Sequence, residues 1–300
     1  MFLTAFFVFW AVVAWKVYFY VAYRRRDLAG KVALITGGGS GIGRKMAHIL
    51  AAKGCQVVLW DVNAAGMDKV KGELAAAGAA CSTYVVDVSD RELVYRVAKE
   101  VGDVDILINN AGIVSGRPFM DTPDELIVKT MQVNTMAHFW TLKAFLPAML
   151  RRNDGHVVTI ASAAGTAGVA GLVDYCASKF GAVGVGESLY MELRKRKSQV
   201  RTTLVCPYYI NTGMFDGVRT RFPLLLPILS EDYASSRIIL AVERGEEYLC
   251  MPWIVGVAFM FKVLPVPWQA TVAELLGLSD GMDTFKHRTA SASTAAKKSA

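Results

Sequence analysis

Short apolar, β-branched runs recur along this chain, separated by longer stretches in which apolar positions return every three or four residues. The runs are "KVALIT" (31–36), "CQVVLW" (55–60), "STYVVD" (82–87), "VDILIN" (104–109), "HVVTIA" (156–161), "VRTTLV" (200–205) and "EYLCM" (247–251). Most are continuously apolar rather than alternating, the mark of strands buried on both faces of a parallel sheet. Strand followed by helix, repeated, predicts an α/β fold with a doubly wound parallel sheet. No internal repeat or low-complexity linker divides the interior, so one domain is expected over 27–251.

The two ends depart from this pattern. From Phe2 to Tyr23 the chain reads "FLTAFFVFWAVVAWKVYFYVAY", with Lys16 its only charge, and Arg24 to Arg26 follow. About 20 apolar residues suffice to span a bilayer. A cleaved signal carries its positive charge before the apolar run, whereas here the basic cluster comes after it, so residues 1–26 are expected to be a retained membrane anchor with a basic flank. The positive-inside rule then leaves the rest of the chain cytoplasmic. Lys16 and the aromatic residues also suit a helix lying in the membrane interface. A second apolar stretch, Cys250 to Trp268, is broken by Pro252, Pro265 and Pro267 and by Lys262. It predicts a segment that dips into the membrane, within an apolar extension over 252–283, before a disordered basic tail over 284–300.

Composition removes several function classes. Hydrophobic residues make up 53% of the chain, an excess that the N-terminal run largely supplies. The five cysteines are odd in number and contain no C-x-x-C pair, which speaks against a disulfide framework and suits a reducing compartment. The four histidines never fall at ligand spacing, so no metal site is expected. Net charge is +7, but the basic residues are spread among helices or stand beside the apolar N-terminus, without a nucleic-acid-binding motif. Attraction to anionic lipid is the expected use of that charge.

"TGGGSGIG" (36–43) directly follows the first predicted strand and opens a helical pattern. Glycines there let the backbone turn tightly and approach a pyrophosphate, whose charge is met by the N–H groups of the helix N-terminus. Gly37, Ser40, Gly41, Ile42 and Gly43 are therefore candidate coenzyme contacts. Asp61 closes the second strand 18 residues after Gly43, where a Rossmann-type fold places its ribose-binding acid. A carboxylate accepts both ribose hydroxyls of NAD but repels the 2′-phosphate of NADP, and no Arg or Lys within the glycine loop offsets that repulsion. NAD is expected over NADP.

Two segments share the spacing Tyr-x-x-x-Lys, "YCASK" (175–179) and "YRVAK" (95–99), and each has a serine thirteen residues before its tyrosine, Ser162 and Ser82. Ligands of an open parallel sheet bind beyond the carboxyl ends of its strands. Ser162 follows the fifth predicted strand at that end, on the edge that holds the glycine loop, whereas Ser82 begins its strand and belongs to the opposite edge. Tyr95 and Lys99 also lie in an amphipathic pattern, with Leu93, Val94, Val97 and Val101 forming the apolar stripe, so they read as an ordinary surface helix. Tyr175 and Lys179 stand one turn apart on one helix face. A phenol of pKa near ~10 exchanges protons poorly at neutral pH until a nearby ammonium favours its anion, and Lys179 can be that ammonium.

"TGGGSGIG", "NNAG" (109–112), Asn134 in "QVNTMAHFW", Ser162 and "YCASK" together resemble the short-chain dehydrogenase/reductase superfamily, over residues 28–251. "CPYYINTGMF", "LPAML", "DYCASKFGA" and the tail from "YLCMPW" onward, with the apolar N-terminus, resemble its membrane-bound branch of epidermal retinol dehydrogenases and lipid-droplet hydroxysteroid dehydrogenases. The resemblance implies Tyr175 as general acid/base, Lys179 as the group that lowers its pKa and holds the nicotinamide ribose, Ser162 as the partner of the reacting oxygen, and Asn134 as the anchor of a proton-relaying water. It further implies Asp87 and Val88 beside the adenine, Asn109, Ala111 and Gly112 along the cofactor, and Pro207 and Thr212 at the nicotinamide. The chain departs from the family pattern where Pro207 is followed by Tyr208 rather than glycine. Tyr208 is expected to reshape the nicotinamide end or line the substrate pocket.

"RFPLLLPIL" (221–229) falls where this fold closes a lid over its substrate, and an apolar lid beside a membrane anchor implies a lipid alcohol that arrives through the bilayer. The closing "KKSA" resembles a dilysine retrieval signal of endoplasmic-reticulum membrane proteins, with lipid droplets a second expected location. The expectation is thus a membrane-anchored oxidoreductase, expected to be a homo-oligomer, that uses NAD(H) to interconvert a hydrophobic alcohol, retinol or a sterol or steroid, and its carbonyl. Two alternatives are an NADPH-dependent retinal or ketosteroid reductase and a non-catalytic, nucleotide-binding lipid-droplet scaffold. The intact set of Ser162, Tyr175, Lys179 and Asn134 argues against the scaffold.

Overall fold

The computed structural model describes residues 25–257 and 262–278, with Trp10, Met282 and Phe285. The expected anchor and tail fall almost wholly outside these residues. Among the described residues no helix is long and apolar enough to cross a membrane.

Seven parallel strands form one sheet in the order β3-β2-β1-β4-β5-β6-β7. They are β1 Val32–Thr36, β2 Gln56–Asp61, β3 Cys81–Val85, β4 Ile106–Asn109, β5 His156–Ile160, β6 Arg201–Pro207 and β7 Tyr248–Met251. Each matches one of the expected runs, its ends moved by two residues at most. Eight helices are described: α1 Gly41–Ala52, α2 Ala64–Ala76, α3 Arg91–Val101, α4 Asp124–Met131, α5 Ala137–Arg152, α6 Val173–Lys195, α7 Glu231–Arg244 and α8 Val266–Leu275. The order reverses between β1 and β4, and a doubly wound sheet opens its ligand crevice at the carboxyl ends of such a pair.

Successive side chains of a strand point to opposite faces, so continuously apolar strands feed two cores at once. Ile35 and Leu59 enter one core with Met46 and Leu50 of α1 and Ile238 of α7, while their neighbours Leu34 and Trp60 enter the other with Phe145 and Met149 of α5. Full burial of one such aliphatic side chain contributes roughly 1.5–3 kcal/mol. Strand β3 differs from its expectation: it lies at the sheet edge, its residues are only partly covered, and Val85 is exposed.

Local chemistry fixes where the helices begin and end. Asp90 caps α3 by accepting the Leu93 N–H at 3.0 Å, and the helix stops at Gly102, whose φ is 77°. Ser230 caps α7 through the Tyr233 N–H at 3.1 Å. Between α4 and α5 the chain stays helical but takes one π-helical turn, Gln132–Met136. Tyr95 and Lys99 sit on α3, which turns Val94, Val97 and Ala98 inward.

Candidate active site

Beyond Thr36 the chain turns at Gly37 with φ 67°, a conformation that side-chain-bearing residues rarely adopt. A Cβ there would come within 2.9 Å of the Ala111 Cα, and one on Gly43 would drive into the Gly37 carbonyl. Ser40 enters α1 in extended conformation without a capping bond from its side chain, and the first turn holds no acidic residue. The N–H groups of that turn, at the positive end of the helix dipole, are left to an anion.

These residues open onto a cleft of about 530 Å³. Gly37, Ser40, Gly41, Ile42 and Gly43 form one wall, Asp61, Asp87 and Val88 extend it, and Ala111, Gly112, Pro207 and Thr212 complete the lining. Asp61 Oδ2 accepts the Gly39 N–H at 2.9 Å and Oδ1 accepts the Asn63 N–H at 2.9 Å, so the acid is tied to the glycine loop. Asp87 Oδ1 accepts the N–H and hydroxyl of Ser89 at 3.0 and 2.6 Å, and its Oδ2 accepts from Lys129 Nζ at 2.7 Å. Burial pushes the Asp87 carboxyl up, but these bonds outweigh burial and hold it below its ordinary value. The uncapped N-terminal donors and the tethered acid fit the pyrophosphate and ribose of a nicotinamide dinucleotide.

Asn109 lies elsewhere. It is buried at the end of the central strand β4, its Oδ1 accepting the Thr141 hydroxyl at 2.8 Å, and it does not line the cleft. Its neighbour Asn110 does, and donates Nδ2 to the carbonyls of Thr36 and Gly37 at 2.9 and 3.1 Å. Sequence reasoning missed Asn110 and Lys129; the "NNAG" run held a signal for the first only.

The proton-transfer candidates meet at the carboxyl end of β5. Ser162 follows the strand, and Tyr175 and Lys179 come from the first two turns of α6; all three are buried and line the cleft. Burial pushes the Tyr175 phenol up, more than its hydrogen bond with the Ser162 side chain brings it down. Lys179 donates Nζ to the Ile160 carbonyl at 3.0 Å and lies 5.7 Å from the centre of the Tyr175 ring. Burial pulls its ammonium down to about 8. Loss of hydration, rather than the lysine charge, therefore governs the phenol here.

Asn134 occupies the π-helical turn and is fully buried. Its Nδ2 donates to Ile113 O and Ser178 Oγ, and its Oδ1 accepts the Ile113 N–H, each at 2.9 Å. It clamps the loop after β4 to α6. Gly112 passes between, where a Cβ would come within 3.3 Å of Asn134 Oδ1 and 3.6 Å of Lys179 Nζ.

Ser162 and Tyr175 also line a second cavity, of about 160 Å³ and mainly apolar, with Thr166, Lys262 and Gln269 among its polar lining residues. Val169, Leu172 and Val255 contribute to its walls, and Leu225 and Leu226 of the expected lid join Val272 and Ala273 of α8. Tyr208 lines both cavities. Phe215 does too, and stands edge-on to Tyr175 and Tyr209 at centroid distances of 5.8 and 5.0 Å. Outside the cavity Leu224 is fully exposed, and Trp253, Val263, Val266 and Trp268 are also exposed.

The family model "short chain dehydrogenase" matches residues 31–221. The chain is 48% identical to epidermal retinol dehydrogenase 2 of Mus musculus, covering 88% of this chain and 89% of that protein. It is 43% identical to retinol dehydrogenase 10 of Rattus norvegicus, over 95% of this chain and 93% of the other. Among solved structures it is similar to a short chain dehydrogenase/reductase from Burkholderia phymatum in complex with NAD, at 29% identity and a TM-score of 0.71, over 78% of this chain and 93% of that one. A metagenomic short-chain oxidoreductase in complex with NADP aligns at 29% identity and a TM-score of 0.62, over 75% of this chain and 96% of the other.

Proposed function

This chain belongs to the short-chain dehydrogenase family and is an oxidoreductase acting on CH–OH groups with a nicotinamide coenzyme, and on that premise we propose that it interconverts a hydrophobic lipid alcohol, retinol or a sterol, and its carbonyl, with NAD(H). The observation that carries this reading is the sharing of Ser162 and Tyr175 between a polar cleft suited to a dinucleotide and an apolar cavity suited to a lipid chain. The reacting carbon must lie between the two, beside a hydroxyl and a phenol.

The coenzyme, when bound, supplies hydride exchange at its nicotinamide. The protein's task is the proton. In reduction the Tyr175 phenol gives its proton to the carbonyl oxygen; in oxidation its phenolate, formed by first releasing the phenolic proton to solvent, takes the proton of the alcohol oxygen, and Ser162 hydrogen-bonds that oxygen. Lys179, held on Ile160, keeps a positive charge beside the phenol and toward the ribose. The Asp61 carboxylate, presented at the glycine loop, supports NAD over NADP.

The names of two relatives, both retinol dehydrogenases, support a retinoid substrate, and the exposed apolar residues around the cavity support delivery from a membrane. We place the catalytic domain on the cytoplasmic face of the endoplasmic reticulum, held there by the N-terminal segment. Full-length protein in detergent, given NAD and retinol, should raise the NADH absorbance band. Normal turnover by a Tyr175→Phe variant would refute the mechanism.

A further inference from the structure

The first turn of α6 carries another buried polar residue, to which the chemistry above gives no task. Asp174, directly before Tyr175, is 5% exposed, as is Ser115 in the loop after β4. Ser115 Oγ donates to Asp174 Oδ1 at 2.6 Å, while Asp174 Oδ2, equally buried, has no hydrogen-bond partner among the described residues. Neither residue lines the coenzyme cleft or the apolar cavity. Leaving a buried acceptor unpaired costs about 1–3 kcal/mol, and well-packed apolar residues in place of such a pair are often neutral or stabilising. Packing alone gives no reason for a carboxylate here.

The loop that holds Ser115 is the junction of the site. Asn110 ties it to the glycine turn, Ile113 ties it to Asn134 through both its N–H and its carbonyl, and Ser115 ties it to α6. Next to Ser115, Gly116 lies under the Phe285 ring, which leaves no room for a Cβ. Phe285 and Met282 pack in the same apolar cluster as Tyr175.

We propose that Asp174, through Ser115, is a positioning residue for Tyr175: their bond fixes the first turn of α6 against the β4 loop and so holds the phenol at Ser162. Asp174 reaches neither substrate nor coenzyme; it acts through the backbone turn that it shares with Tyr175. Its place in that turn is also one where a helix dipole favours a carboxylate. The inference rests on the reading of Tyr175 as the proton-transfer group.

The test compares full-length Ser115→Ala, Asp174→Leu and Ser115→Thr with the parent, and includes Tyr175→Phe as a control. Small displacements of a reacting group cost up to about 10²-fold in rate, so Ser115→Ala and Asp174→Leu, each of which removes the bond, are expected to lower kcat at least tenfold. KM and the NADH dissociation constant, read by NADH fluorescence, are expected to stay within about twofold, because neither residue lines a cavity. Ser115→Thr, which keeps the hydroxyl, should recover most of kcat. A kcat within twofold of the parent in both Ser115→Ala and Asp174→Leu would overturn the proposal. So would parallel loss of kcat and coenzyme affinity, which marks a merely structural pair. If Tyr175→Phe itself retains turnover, the functional reading fails first and the positioning role with it.

Discussion

Lys179 aims its ammonium at the carbonyl of Ile160, 3.0 Å away, and not at the hydroxyl of Tyr175, whose ring centre lies 5.7 Å from it. The lysine is thereby fixed between the last residue of β5 and the tyrosine one turn before it. Burial draws the ammonium down to about 8 and the phenol up, so both groups sit in a site that disfavours charge. Such a site stores free energy that the fold must supply.

Replacing that ammonium should separate stability from catalysis. At pH 7 the lysine is protonated folded and unfolded, so the folded state bears the whole unfavourable shift, from 10.5 to about 8. That shift corresponds to about 3 kcal/mol, offset by about 1.5 kcal/mol for the bond to Ile160. Lys179→Met should therefore unfold at higher urea concentration, by about 1–2 kcal/mol, while losing at least ~100-fold in kcat. The parent should close the stability gap between pH 8 and 10.5, as its folded lysine deprotonates before the unfolded one does.

Asp61→Ala removes the acid that the glycine loop presents to the ribose. A charged hydrogen bond is worth about 1.5–3 kcal/mol, so the KM for NAD should rise about 10-fold or more, and the preference for NAD over NADP should shrink. Steady-state kinetics with each coenzyme measures both effects. An unchanged preference would mean that coenzyme choice is set elsewhere.

Leu224 and Trp268 are exposed beside the apolar cavity without lining it. In Leu224→Glu combined with Trp268→Glu, KM for an alcohol presented in anionic phospholipid vesicles should rise several-fold, while kinetics with a short water-soluble alcohol stay unchanged. Equal KM values for the vesicle-borne alcohol would count against an apolar rim that meets lipid.

His138 and His156 are both fully enclosed, and burial pulls each down from 6.5 to about 3. The unfolded chain therefore binds two protons that the folded chain refuses. Stability should be complete above pH 6.5 and fall as pH drops toward 3, by about 2–3 kcal/mol between pH 7.5 and 5.5. Urea unfolding at those two values measures it, and a histidine-to-glutamine change at position 156 should halve the slope. A flat profile would show that the rings take up protons without unfolding.

The strands were legible because parallel strands buried on two faces leave continuous apolar runs, and the glycine loop, Ser162, Tyr175 and Lys179 were legible because their order follows the sheet. What escaped depends on contacts between distant segments. The exposure of Val85 follows from the place of β3 at the sheet edge, which no local pattern records. Whether Asn109 or Asn110 faces the cleft depends on where β4 ends and the alternation of its side chains breaks. Lys129 holds Asp87 from 42 residues away, and Phe215 joins Tyr175 across 40. The Tyr175 phenol shifts opposite to its expectation for a related reason: charge pairing can be read from spacing, whereas loss of hydration is visible only after packing.

The π-helical turn at Gln132–Met136 has a further consequence. A regular helix advances by a fixed angle per residue, and this turn contains one residue more than that advance allows. Within it, Asn134 meets Ile113 and Ser178; after it, the helix is in phase with the sheet, against which Phe145 and Met149 pack. Shortening the turn by one residue would give a smoother helix able to satisfy only one of the two. The irregularity is a phase shifter that lets one continuous rod set the Asn134 clamp in its middle and a hydrophobic core beyond it.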